Sequence, residues 1–330
     1  MSKLVWSRCL LSTVCATSAV FLSGCGGGGE ETSGAGAVQI APNETPPEGI
    51  TPVINVETGV AVFGSRRYAL PPDVDANVAN ASTWAMTDCL RSNGIDDQHN
   101  WTAASPEDAY DSNVGVWRLD EAELFAFSPP MDPRTQIVNG IQNSVASERA
   151  IADANLFVND MGRRLEETRA LVGTAEWDAA VADCNNDPLV AEWSERSLED
   201  IPSLDGPWYE EFISSQEAAY QDARMATIRR EFEQCLAPVG IEVEVSESSR
   251  WVGFFDIVGQ DASRIDEEQI KLAVEVVRCK QETDAVERVL NVVAEYEASV
   301  YLEYEDELQE TRRRIEELEA AADEFWTARG

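Results

Sequence analysis

The sequence predicts a mainly α fold: a duplicated, disulfide-stapled helical unit with minor short β-strands and a long C-terminal helix. Three observations predict it. Apolar residues recur at spacings of three, four and seven in several long runs. The pattern Cys-Leu-x-x-x-Gly-Ile occurs twice, at Cys89 to Ile95 and at Cys235 to Ile241. From Asp266 to Ala328 there is neither proline nor glycine.

In chain order, the first feature is an address. Lys3 and Arg8 precede an apolar stretch from Cys9 to Ser23. Its length suits a signal-peptide core and is too short to span a bilayer comfortably. It ends in Leu22-Ser23-Gly24-Cys25, which resembles the lipobox of bacterial lipoproteins. That resemblance implies a diacylglycerol on the Cys25 thiol and cleavage just before it, so residues 1–24 read as a lipoprotein signal peptide. Two acyl chains suffice for stable anchoring where one does not. Residues 25–49, rich in Gly, Ser, Thr, Glu and Pro, read as a flexible tether.

Residues 50–200 and 201–330 read as two helical units, each with its own cysteine pair. Val53, Ile54 and Val56, then Val60 to Phe63, flank Glu57-Thr58-Gly59 as a short hairpin. Pro71-Pro72-Asp73 opens a helix with Val74, Val78, Ala81, Ala85 and Cys89 on one face. Residues 96–135, with Pro106, Pro129, Pro130 and Pro133, read as irregular with short strands. A helix is expected from about Ser147 to Cys184, with Gly162 and Gly173 as the positions that weaken or divide it. Pro188, Pro202 and Pro207 suggest a connector, and Glu217 to Leu236 is helical again. Ile241, Val243 and Val245 alternate with Glu242 and Glu244, as in a strand with one wet face.

The final stretch carries Ile270, Val274, Val277, Leu290, Val293, Val300, Tyr304, Leu308, Ile315, Leu318, Ala322 and Phe325 along one face. An unbroken helix of about 60 residues would reach roughly 90 Å. It must therefore bend back on its own domain, project, or pair with another chain. The basic triplet Arg312-Arg313-Arg314 reads as a solvated face paired with Glu316 and Glu317.

Beyond Cys25 four cysteines remain, and an even number in an exported chain argues for two disulfides. Three connectivities are open, and the repeat selects one. Each half runs helix, Cys, Gly, aromatic stretch, helix, Cys, which pairs Cys89 with Cys184 and Cys235 with Cys279. Around these residues the chain resembles a group of extracytoplasmic lipoproteins of actinobacteria. The matching segments are Cys89-Leu90 to Gly94-Ile95, Leu171-Val172-Gly173 with Trp177 and Cys184, Cys235-Leu236 to Gly240-Ile241, and Ala273 to Arg278-Cys279-Lys280. The likeness covers roughly residues 80–310 and implies the scaffold without naming an activity. It departs where such proteins often carry an aromatic after the glycine, since Ile95 and Ile241 stand there.

Composition narrows the partners. The chain carries 61 acidic and 25 basic residues, a net charge of −36. Loss of residues 1–24 removes Lys3 and Arg8 and takes it to −38. That excess disfavours nucleic acid and anionic membrane surfaces. No P-loop, Gly-x-Ser-x-Gly, Cys-x-x-Cys or histidine pair occurs, so no cofactor, metal site or catalytic residue is assigned. His99, the only histidine, reads as a surface residue. Trp101, Trp117, Trp208 and Trp251 read as core fillers before they read as the floor of a carbohydrate or peptide groove. The expectation is a non-enzymatic envelope protein on the outer face of the cell membrane, tethered by Cys25 and binding an envelope protein or cell-wall component. A solute receptor for a transporter comes second, and an Asp/Glu-dependent envelope hydrolase third.

Overall fold

The computed structural model describes residues 40–95, 103, 112–198, 206–244 and 254–329. The address, Cys25, most of the tether, His99, Trp101 and Trp251 lie outside them. Residues 38–330 make up one unit.

Turn chemistry sets the first elements. β1 (Val53–Asn55) pairs antiparallel with β2 (Val60–Val62), Val53 facing Val62. The Asn55 carboxamide oxygen accepts from the Glu57 and Thr58 amides and closes the hairpin. α1 (Pro72–Ser92) starts with proline in its first turn, where a missing N–H costs nothing, and buries Val74, Val78, Ala81 and Ala85.

Residues 112–138 differ from the irregular, strand-containing stretch expected there. Two short helices form instead, α2 (Leu119–Phe125) and α3 (Pro133–Val138). The prolines do not break them. Pro133 occupies the first turn of α3, and the Asp132 carboxylate accepts from the Arg134 and Thr135 amides as its cap. The one strand nearby among the described residues, β3 (Gln142–Asn143), pairs parallel with β4 (Arg264–Ile265).

The expected helix from Ser147 to Cys184 is divided at Gly173, whose φ is +90°. α4 (Glu148–Val172) runs through Gly162 unbroken, and α5 (Thr174–Cys184) follows. The supposed proline connector is largely helical too. Pro188 opens α6 (Pro188–Leu198), capped by the Asp187 carboxylate, and α6 buries Val190 and Trp193 against α1. α7 (Trp208–Tyr220) and α8 (Ala223–Leu236) replace the single helix read over Glu217 to Leu236. They part because Asp222 leaves helical geometry to accept from the Arg224 amide. The strand expected over Ile241 to Val245 reduces to one antiparallel bridge, Val243 to Ile257, with Val245 outside the described residues.

The C-terminal stretch is helical as expected, but it is three helices. α9 (Glu267–Glu282), α10 (Ala285–Glu303) and α11 (Glu305–Thr327) are separated at Asp284, with φ +49°, and at Tyr304, with φ −113° and ψ 24°. The chain bends back at these joints. Val276, Val289, Leu290 and Val293 meet Ile228 and Phe232 of α8 in the largest apolar cluster. Leu318, Ala322 and Phe325 of α11 cover Val74, Val78, Ala81 and Ala85 of α1. Full burial of one such side chain stabilises by about 1.5–3 kcal/mol. The two halves therefore share their cores, because the last helix of the second covers the first helix of the first. Trp117 and Trp208 are core residues, and the Trp117 indole donates to the Gly59 carbonyl at 2.6 Å.

Disulfides join Cys89 to Cys184 and Cys235 to Cys279, the connectivity the repeat selects, with Cα separations of 5.7 and 5.6 Å. The repeated helix ends also match. Gly94 and Gly240 take φ of +83° and +75°, and the Ile95 and Ile241 amides reach back to the Leu90 and Leu236 carbonyls. This left-handed closure returns each isoleucine onto the leucine beside its cysteine.

Candidate functional site

Three segments distant in sequence meet at Lys280, beside the second disulfide. Lys280 follows Cys279 on α9 and is one of three lysines in a chain with 22 arginines. Its side chain is only 3% exposed. The ammonium donates to the Val114 carbonyl at 2.6 Å and the Val116 carbonyl at 2.7 Å, and lies 4.6 Å from the centre of the Phe255 ring. Gly115 stands between those two valines with φ +65°, a left-handed turn that lets both carbonyls converge on one donor. A compact ammonium fits that point where a planar guanidinium does not.

Burial pushes the Lys280 amine down to about 7, while the negative charge of Asp256 opposes the shift. Its contacts describe a clamp that ties residues 112–116 to α9. Two of its protons are committed to carbonyls, and the aromatic face takes the remaining side.

The clamp forms one wall of a cleft of about 200 Å³. Phe127, Tyr220, Phe254 and Phe255 supply aromatic surface, with Phe254 packed 5.5 Å from Tyr220 and 4.9 Å from Phe255 between ring centres. Asn113, Asp256 and Gln260 supply polar groups. The Asn113 oxygen accepts from the Phe63 amide at 3.0 Å, which leaves its NH₂ group for the cleft. Gln260 donates weakly to Asp256 at 3.4 Å. The Tyr220 hydroxyl has no hydrogen-bond partner among the described residues. Burial, with Glu297 adding to it, raises that phenol far above its ordinary range.

Behind Tyr220, one turn earlier on α7, Gln216 belongs to a second polar cluster. Its amide donates to the Glu297 carboxyl at 2.7 Å, and Ser65 contributes its hydroxyl at 2.6 Å and its amide at 3.2 Å. Glu297 is fully buried. Desolvation pushes its carboxyl up to about 7 against the three donors, which pull it down. This cluster fastens α7, α10 and the 3₁₀ turn Gly64–Tyr68 together behind the cleft wall.

The residues singled out in the sequence take other places. Cys89, Cys184, Cys235 and Cys279 are consumed as staples, and Cys25 lies outside the described residues. Two of the basic triplet on α11 are paired, Arg312 with Glu316 at 3.0 Å and Arg313 with both Glu310 and Glu317. Lys280, Asn113, Tyr220 and Asp256 were not singled out for a site. The rarity of lysine is the one available signal, and it marks Lys3 and Lys271 as well as Lys280. Comparison with known proteins finds no match, whether by family model, by curated sequence or by solved structure.

Proposed function

We propose that this chain is a lipid-anchored, extracytoplasmic binding protein, held to the membrane through a diacylglycerol on Cys25. Its helical body presents a binding surface to another envelope component and performs no catalysis. The observation that carries this reading is the complete pairing of all four cysteines beyond Cys25 in two disulfides. Such bonds persist in oxidising compartments outside the cytoplasm. The order of basic flank, apolar core, Leu22-Ser23-Gly24-Cys25 and tether supports the anchor, and so does the likeness to actinobacterial lipoproteins.

The test is chemical. Protein expressed in a bacterium fed labelled palmitate is expected to take up label and fractionate with membranes, and Cys25→Ser is expected to lose both properties. An unlabelled wild-type protein in the cytosolic fraction overturns the reading. A transporter's solute receptor is the second reading, favoured by the aromatic-walled cleft. The described residues do not form the two α/β lobes usual in such receptors.

A further inference from the structure

We infer that the cleft beside Lys280 binds one neutral sugar ring, so that the envelope component recognised is a glycan or free saccharide. This deepens the binding role proposed above and rests on it for biological meaning, although the cleft's chemistry is independent of the anchor.

Size is the first argument. Sites for drug-sized ligands run to roughly 300–1,000 Å³. A cleft of about 200 Å³ holds a single ring, not an extended chain.

The free polar groups are the second. Asn113 offers an NH₂ donor, Tyr220 an uncommitted hydroxyl, Asp256 carboxylate oxygen and Gln260 its carbonyl oxygen. Donors and acceptors thus line one small space together. Sugar hydroxyls both donate and accept, so a polyol satisfies this mixture where a simple acid or amine satisfies half of it. Phe127, Phe254 and Phe255 add apolar faces against which the C–H face of a ring packs.

Charge is the third argument, and it favours a neutral ligand over an ion of either sign. Among the described residues Lys280 is the one cation on the wall, and two of its protons are taken by Val114 and Val116, so an anion meets only the neutral donors of Asn113 and Tyr220. The net charge of −36 repels anions further. A cationic ligand drawn to Asp256 would compete with Lys280, whose amine already interacts with that carboxylate. A neutral ligand meets neither obstacle.

Tyr220 makes the inference testable, because its hydroxyl serves no hydrogen bond among the described residues. Full-length protein in detergent would be titrated calorimetrically with glucose, galactose and N-acetylglucosamine, using acetate and methylammonium as charged probes. At least one sugar is expected to bind saturably and neither ion to bind. Tyr220→Phe is expected to weaken that sugar roughly five- to tenfold, the worth of one hydrogen bond, with an unchanged melting temperature. Asp256→Asn is expected to weaken it similarly. Absence of binding by all three sugars overturns the inference, as does preferential binding of either ion. Sugar binding that neither substitution alters overturns it too. Failure here leaves palmitate labelling at Cys25 unaffected, and loss of labelling leaves sugar binding unaffected, so the two readings fall separately.

Discussion

At the residue scale, the two buried charges pull stability in opposite directions with pH. Glu297 is pushed up to about 7 from an ordinary value of 4.5. Between those values the folded protein holds a proton that the unfolded chain has released, so the contribution of Glu297 is full below about 4.5 and is lost as pH rises towards 7. Lys280 is pushed down to about 7 from 10.5, so there the unfolded chain holds the extra proton. Its contribution is full above about 10.5 and is lost as pH falls towards 7. Stability from this pair is therefore lowest near neutrality. Glu297→Gln, which cannot ionise, is expected to flatten the acid side of that profile. The difference between wild type and variant in unfolding free energy, read from urea titrations, should change between pH 5 and pH 7.5 by up to about 3 kcal/mol. A constant difference across that range would show that Glu297 titrates normally and that its three donors outweigh its burial. None of this was legible in the sequence. Glu297 sits among many acids in a helical pattern, and only the fold brings Ser65 and Gln216 to it.

At the scale of elements, legibility followed the chemistry that leaves a mark. The face Val74, Val78, Ala81 and Ala85 was plain because burial imposes its period directly. The helix ends at Gly94 and Gly240 were plain because glycine marks left-handed geometry. The joints between α9, α10 and α11 were invisible because no proline or glycine marks them. Asp284 adopts φ +49° in place of the glycine usual at such a turn, and Tyr304 bends the chain without leaving negative φ. A short polar side chain tolerates that left-handed conformation at some cost. Asp284→Gly is therefore expected to relieve strain and stabilise the protein by about 0.5–1 kcal/mol, read as a raised urea midpoint with unchanged slope. A lowered midpoint would mean that the conformation is fixed by the Asp284 side chain and not merely tolerated by it. The missed helices α2, α3 and α6 follow a similar logic. Pro133 and Pro188 suggested loops, yet each sits in the first turn of a capped helix.

At the scale of the whole molecule, the dominant feature is acidity, and its sign is open to test. Ion pairs such as Arg312 with Glu316 and Arg196 with Glu192 are mostly exposed, and each contributes little. Most acidic residues have no basic counterpart, since 61 face 25 across the chain. Repulsion among the excess acts over about 10 Å at 0.1 M salt and over about 3 Å at 1 M. Screening should therefore weaken many unfavourable long-range terms and only a few short, weak attractive ones. Raising potassium chloride from 0.05 to 0.5 M is expected to increase the urea midpoint at pH 7. The two disulfides set the background for that measurement, because loops with sequence separations of 95 and 44 residues restrict the unfolded chain and limit how far its own repulsion can expand it. Reduction is expected to enlarge the salt response, since only the reduced chain swells freely at low ionic strength. A midpoint that falls with salt would instead place the Arg–Glu pairs above the excess charge, and would make the acidic surface a set of local contacts and not a repulsive field.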